Sequence, residues 1–201
     1  GEVASAIFAD TVRELFGDSG ECDGEETAGL VAESFRLANE RIVRMSEDQA
    51  QHHGMGCTAE LIAFHGDHYV LGHVGDSRSY LYREGVLSQV TKDHSLIQEQ
   101  VDQGLITPHQ ARNHTFKNVI LRAVGVEEAL SMDLLRGECL PGDLFLLCSD
   151  GLSDMVEDER IADALGRRLT LAQKADRLVE LAKIGGGRDN ITVVLCEVSS
   201  P

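Results

Sequence analysis

The chain has 201 residues and a formal net charge of −16, so it is long enough for one sizeable core but short for two full domains. The negative charge argues against binding to nucleic acid or to anionic membranes, because both need basic surfaces. No apolar run approaches the roughly 20 residues of a membrane-spanning helix, and the charged first stretch is atypical of a signal peptide. We therefore expect a cytoplasmic protein with no membrane segment.

The first half of the sequence predicts helices followed by strands. Apolar residues recur at helical spacing over 1–16 and 27–51, on either side of an acidic, glycine-rich loop at 17–26. Short segments rich in β-branched and aromatic residues then indicate an antiparallel meander over 57–91. A mostly helical insert follows at 95–116, where Thr107 and Pro108 are typical of a helix start.

The second half continues with three strands, two helices and a last strand. The predicted strands cover 118–124, 131–138, 143–149 and 191–198, and the predicted helices cover 157–166 and 170–184. This order does not fit alternating βαβ units. It predicts an α+β fold in which two sheets pack face to face with helices on their outer faces, within a single domain over residues 1–201.

The first candidate site residues lie where an apolar strand reaches an Asp-Gly pair. Leu144–Leu147 lead into Cys148-Ser149-Asp150-Gly151, and Asp154 follows one helical turn after Asp150. Two carboxylates held on one side are costly unless a cation lies between them. The alternative is a strand end with a turn at Asp150 and a helix start at Asp154.

Two further segments combine glycine with aspartate beside a strand. Gly185–Asn190 reads GGGRDN and places Asp189 before the last strand; it lacks the Lys-Ser/Thr ending of a phosphate-binding P-loop. An ordinary loop is the alternative there. Gly72–Arg78 reads GHVGDSR and places Asp76 where a strand turns.

The cysteines indicate neither a disulfide framework nor a zinc site. The five cysteines form no CxxC pair, and we expect buried reduced thiols. No cysteine is followed by arginine six positions later, so the sequence does not have the Cys-x5-Arg loop of cysteine-dependent phosphatases.

Taken in order, the motifs GMGCTA (54–59), HVGDSR (73–78), FLLCSDGLSDM (145–155) and GGRDNITVV (186–194) resemble those of the type 2C (PPM) family of metal-dependent Ser/Thr protein phosphatases, in its bacterial form. The resemblance implies a four-layer αββα sandwich and a signalling enzyme that hydrolyses phosphoserine and phosphothreonine with a metal-activated water. It implies Mn²⁺ or Mg²⁺ as cofactor, in two core sites and a third, weaker one.

The resemblance also implies a role for individual residues. Asp150 and Asp189 are expected to bind the two core ions, and Asp76 and Asp154 are expected to bind the third ion together with Asp150. Gly151 and Asn190 are expected to support these ligands or to shape the loop beside them. Residues 95–118 correspond to the family's variable flap, next to the active site.

Two of the family's motifs have no counterpart in the sequence. These are an RxxNED-type segment with a phosphate-binding arginine and a DGMGG-type motif with a bridging aspartate, and both would precede Gly1. We therefore expect a chain truncated at its N-terminus, with impaired activity. The alternative function is a catalytically inactive phosphatase-like module that binds a protein partner.

Overall fold

The computed structural model describes residues 1–17, 19–112 and 114–199. In chain order its elements are α1 (Glu2–Gly17), α2 (Gly24–Asp48), a 3₁₀ turn (Ala50–His52), β1 (Ala59–His65), β2 (His68–Val74), β3 (Arg78–Arg83), β4 (Val86–Gln89), α3 (Leu96–Asp102), α4 (Pro108–Arg112), β5 (Asp133–Glu138), β6 (Leu144–Cys148), α5 (Asp150–Ser153), α6 (Asp158–Gly166), α7 (Leu171–Ile184) and β7 (Val193–Glu197).

The strands form two antiparallel sheets. One has the order β1-β2-β5 and the other has the order β4-β3-β6-β7. The α+β class with two antiparallel sheets is thus confirmed. The chain also groups into two compact units, one made of Gly1–Gly75 with His94–Glu138 and the other of Asp76–Asp93 with the residues from Cys139 onward.

The first unit has its own core of helix and strand residues. Phe8 of α1 packs edge-on against Phe35 of α2, with ring centroids 4.9 Å apart. The buried side of α2 then packs on β1 and β2. The helix α2 begins at a capping box, in which Asp23 accepts from two main-chain N–H groups and Glu26 accepts from the Asp23 N–H.

The second unit buries β6 completely and covers it with helices. All five residues of β6 are buried, and Leu144, Leu146 and Cys148 share a core with Leu152, Ile161 of α6 and Leu178 of α7. This continuous apolar strand is the reason that the chain carries Ser149 and Asp150 to a fixed place at the end of a sheet.

Two strand predictions are wrong. Residues 57–91 do not form one meander, because β2 pairs with β1 and β5 whereas β3 pairs with β4 and β6; the chain changes sheet at Gly75, which has φ +117°. The predicted strand over 118–124 makes only the isolated bridges Ser95–Ile120 and Cys57–Val124. Its hydrogen bonds go to two separate segments, so no ladder forms along it.

The flap and the single domain stay predictions. The flap segment 95–118 contains α3 and α4, and its Asn113 lies outside the described residues. The same holds for Asp18 in the predicted loop 17–26 and for Ser200 and Pro201 at the end of the predicted domain. Among the residues that the structure describes, no helix has the length and apolar character needed to cross a membrane.

Candidate metal centre

The register of β3 and β6 places Asp76 and Asp150 at the same end of their sheet. Arg78 pairs with Cys148 in this antiparallel ladder. Asp76 lies two residues before Arg78, and Asp150 lies two residues after Cys148. Because partners in an antiparallel pair keep a constant sum of residue numbers, continuing the ladder sets Asp76 opposite Asp150.

The electrostatics of Asp76 agree with this register. Its side chain is half-buried, and burial together with the nearby Asp150 carboxylate raises the pKa of Asp76 to about 6. Asp93 and Asp154 contribute to the same rise in pKa. Asp76, Asp150 and Asp154, which the sequence singled out separately, therefore lie within electrostatic range of one another.

Asp154 owes its position to the short helix α5. The Asp154 N–H donates to the main-chain oxygen of Asp150 at 2.8 Å, which closes one helical turn. Leu152 and Ser153, between them, are buried, whereas Asp154 is exposed. The two aspartates thus stand one helical turn apart in the second unit.

Contacts with main-chain atoms hold the loop that carries Asp189 against the turn at Ser149–Gly151. The Ser149 hydroxyl donates to the Asn190 oxygen at 2.9 Å and accepts from the Thr192 N–H at 3.0 Å. A Cβ on Gly151 would lie 2.2 Å from the same Asn190 oxygen. The turn at Ser149–Gly151 and the loop of Asp189 are therefore packed main chain against main chain, and glycine is required at 151.

The carboxylate of Asp189 is exposed, and one of its oxygens accepts from the Asn190 N–H at 2.7 Å. It is not among the carboxylates that raise the pKa of Asp76. The structure brings together Asp76, Asp150 and Asp154 as charged groups, and it brings Asp189 alongside Asp150 through the hydrogen-bonded loop.

One acidic residue of this cluster was missed in the sequence. Asp93 is largely buried and accepts from Arg78 through both oxygens, with Nε–Oδ1 at 2.8 Å and Nη2–Oδ2 at 2.7 Å. Gln89 Nε2 also donates to it at 3.0 Å. The signal was the position of Asp93 four residues after the end of β4, which is again an aspartate just beyond a strand.

The donor set fits a hard divalent cation that retains water. Within the ranges described, no three His, Cys, Asp or Glu side chains already stand close enough together to hold a metal ion. Mg²⁺ is commonly held by one or two carboxylates plus water, so a sparse set of oxygens suits it. A cation near Asp76 and Asp150 would also offset the like-charge repulsion that raises the pKa of Asp76.

Within the described residues the cysteines form no disulfide. The structure records Cys22, Cys57, Cys139, Cys148 and Cys196 as free, with Cys139 and Cys148 buried. Burial raises the pKa of the Cys57 thiol to about 11, which keeps it protonated at neutral pH. The sequence predicts buried thiols, and the structure buries Cys139 and Cys148, whereas Cys22, Cys57 and Cys196 are only half-buried.

The chain is similar to known protein phosphatases over most of its length. A family model described as Protein phosphatase 2C matches residues 1–184. The serine/threonine protein phosphatase PstP of Mycobacterium tuberculosis is 43% identical over 198 residues, which are 98% of this chain and 38% of that protein. The serine/threonine phosphatase stp of Listeria monocytogenes is 39% identical over 173 residues, which are 86% of this chain and 69% of that protein.

A solved structure extends the match to the fold. The catalytic domain of the serine/threonine protein phosphatase PstP, in complex with two manganese ions, superposes with a TM-score of 0.90 at 40% identity. The match covers all of this chain and 82% of that one. The chain thus spans most of that catalytic domain but only 38% of the length of the M. tuberculosis protein.

Proposed function

Because the chain belongs to the protein phosphatase 2C family, we propose that it takes part in the hydrolysis of phosphoserine and phosphothreonine in proteins, with Mn²⁺ or Mg²⁺ as cofactor. The observation that carries this proposal is the register of β3 with β6, whose continuation sets Asp76 opposite Asp150. The manganese ions of the related catalytic domain support the choice of cofactor.

We assign Asp150 and Asp189 to the two core ions. Asp76 and Asp154, together with Asp150, are assigned to a third ion. The hydrogen bonds of Ser149 to Asn190 and Thr192 support the first assignment, because they fix the Asp189 loop beside Asp150. The ladder of β3 with β6 supports the second, because its continuation sets Asp76 opposite Asp150.

Divalent cations held there would stabilise the charge that develops on a phosphoryl group and make a nearby water more acidic. The contribution of the protein is to position the carboxylates. Arg78 restrains Asp93 through a bidentate ion pair, and Gly151 allows the Asp189 loop to approach α5. Such restraint keeps charged groups in place without reorganisation during the reaction.

Phosphoproteins are the substrate class that we propose, in a cytoplasmic signalling role. The net charge of −16 supports a partner other than nucleic acid, since few basic residues are available to neutralise a polyphosphate backbone. The acidic surface also favours substrates whose phosphorylated segment carries basic residues, by complementarity of charge.

The test is hydrolysis of matched phosphoserine, phosphothreonine and phosphotyrosine peptides by the protein expressed from its complete reading frame. We expect release of phosphate from the first two peptides with Mn²⁺, loss of activity with chelator, and recovery when Mn²⁺ or Mg²⁺ is added in excess. Activity that persists in chelator would contradict the metal-dependent mechanism. A protein that binds Mn²⁺ but hydrolyses none of the peptides would instead be a phosphatase-like binding module.

A further inference from the structure

The residue directly before Asp76 has an unusual backbone. Gly75 has φ +117°, a region that residues with side chains rarely adopt. A Cβ at this position would lie 2.4 Å from Cγ2 of Thr58. The turn at the end of β2 therefore requires glycine, which adopts this conformation without a side-chain clash.

His94 holds both polar groups of Gly75. The main-chain N–H of His94 donates to the main-chain oxygen of Gly75 at 2.7 Å, and the main-chain N–H of Gly75 donates to ring atom Nδ1 of His94 at 3.1 Å. One residue thus binds the N–H and the C=O on either side of the Gly75 Cα. Asp76 is the next residue in the chain, so this clamp restrains the peptide unit that joins Gly75 to Asp76.

The clamp requires one tautomer of His94. An Nδ1 that accepts from the Gly75 N–H cannot carry a proton, so the proton of the neutral ring is on Nε2. Asp133 Oδ2 lies 3.2 Å from Nε2 and is the acceptor for that proton. Arg122 Nη1 lies 3.2 Å from the same nitrogen and 3.3 Å from Asp133 Oδ1; because a protonated Nε2 cannot accept from it, Arg122 donates to the Asp133 carboxylate. Burial lowers the pKa of His94, which favours the neutral ring.

A second histidine supports the His94 ring from within the first unit. His73 is fully buried, and its ring centroid lies 4.5 Å from that of His94. Its Nδ1 is bonded to Glu60, whose side chain is also buried. Buried polar groups with satisfied hydrogen bonds are rigid, so the His73–Glu60 pair limits the movement available to the His94 ring.

We propose that His94 is a positioning residue that holds the Gly75 turn through Nδ1 and thereby fixes the carboxylate of Asp76 for cation binding. The inference rests on the proposed function for its choice of cation. The clamp itself is independent of the proposed function, because it consists of the two hydrogen bonds between His94 and Gly75.

Two substitutions separate the two nitrogens of the ring. In His94→Asn the amide oxygen takes the place of Nδ1 and can accept from the Gly75 N–H. In His94→Gln the amide nitrogen takes the place of Nε2 and can still donate to Asp133. No side-chain atom is then left in the place of Nδ1 to accept from the Gly75 N–H. His109, exposed on α4, supplies the matched control His109→Gln.

The first measurement is hydrogen exchange of the Gly75 amide in the protein expressed from its complete reading frame. We expect His94→Gln to speed exchange about tenfold, the effect of losing one hydrogen bond. We expect His94→Asn and His109→Gln to exchange within about threefold of wild type. Equal exchange in the Asn and Gln variants would overturn the clamp.

The second measurement is calorimetric titration with Mn²⁺, in which the step that disappears in Asp76→Asn defines binding at Asp76. We expect His94→Gln to weaken that step about tenfold, and His94→Asn to restore it to near the wild-type affinity. An unchanged step in His94→Gln, or no Asp76-dependent step in wild type, would overturn the positioning role. Failure of the proposed function would look different: Mn²⁺ would bind as described, but phosphopeptides would not be hydrolysed.

Discussion

The Ser149 hydroxyl donates to the main-chain oxygen of Asn190 at 2.9 Å and accepts from the Thr192 N–H at 3.0 Å. Ser149 directly precedes Asp150, and Asn190 directly follows Asp189. A single side chain therefore ties together the two main-chain segments that carry the proposed ligands of the core ions, although 41 residues separate the bonded pair in sequence.

The proposed ligands should differ in their contribution to rate. In the protein expressed from its complete reading frame, we expect Asp150→Asn to lower kcat/KM for a phosphoserine peptide by about a hundredfold or more. The reason is that metal stabilisation is worth several kcal/mol, at about 1.4 kcal/mol per tenfold. Asp189→Asn should behave likewise, whereas Asp154→Asn should cost about tenfold, because its ion is the weaker one.

The matched control is Asp176→Asn, which makes the same chemical change at an exposed position of α7. It should leave kcat/KM unchanged. Losses of equal size at Asp154 and Asp150 would contradict the proposed division between core and third ions.

Gly151→Ala should disturb the centre through the backbone. The added methyl group would lie 2.2 Å from the Asn190 oxygen, so the Asp189 loop must move away from α5. We expect the free energy of unfolding to fall by about 1–3 kcal/mol, the range for overpacking a close contact. Urea denaturation measures this change.

Gly29→Ala is the matched control. Gly29 lies within α2, and a Cβ there meets nothing within 4 Å. This substitution should raise the free energy of unfolding by about 0.5–1 kcal/mol, because alanine favours a helix more than glycine does. If Gly151→Ala proved as well tolerated as Gly29→Ala, the close approach would not be required.

Cys148→Ala should leave most of the phosphatase activity. Cys148 is 3% exposed at the end of β6, two residues before Asp150, so its proximity to the site comes from its place in the strand. We expect activity to remain sensitive to chelator and insensitive to the loss of the thiol. Initial rates with and without chelator make the comparison; activity lost with Cys148 but retained in chelator would indicate thiol chemistry.

The Asp143–Arg83 ion pair should make stability depend on pH. The Asp143 side chain is 2% exposed and bonds Arg83 Nε at 2.7 Å and Nη2 at 2.6 Å. Hydrogen bonding to Arg83 lowers the pKa of Asp143 below its ordinary value of 3.8. Because the folded pKa is the lower one, this stabilisation is present above the unfolded pKa and is lost as pH falls through the folded pKa.

Asp143→Asn, a neutral analogue, should therefore be less stable than wild type by about 1–2 kcal/mol near neutral pH. The difference should shrink in acid, when Asp143 itself becomes protonated. Asp10→Asn, in the exposed pair with Arg13, should show no measurable effect at either pH. Urea denaturation across the acid range measures both; a difference that grew in acid would show that Asp143 is not held as a carboxylate.

Local patterns in the sequence predicted the elements well where a continuous apolar run or a helix-start signal marked them. The apolar run Leu144–Leu147 became the buried strand β6, and Thr107-Pro108 became the start of α4, where Thr107 accepts from the Gln110 N–H at 3.3 Å. The run at 118–124 has a similar composition. It failed as a strand because its partners are His94, Leu96 and Cys57, which lie in different segments.

Strand pairing explains what the sequence did and did not predict about the site. Motif spacing identified Asp76, Asp150 and Asp154, but only the register of Arg78 with Cys148 shows why Asp76 and Asp150 come together. Asp93 was missed because its role depends on a bidentate contact with Arg78, fifteen residues earlier in the chain. Long-range contacts of this kind leave no periodic signal in a single sequence.

The most direct test of the proposed centre is the anomalous scattering of Mn²⁺ in crystals of the protein expressed from its complete reading frame. The account predicts peaks within coordination distance of carboxylate oxygens from Asp150 and Asp189, and a further peak beside Asp76 at higher Mn²⁺ concentration. Manganese bound elsewhere in an active enzyme, with these aspartates making no contact to it, would contradict the account.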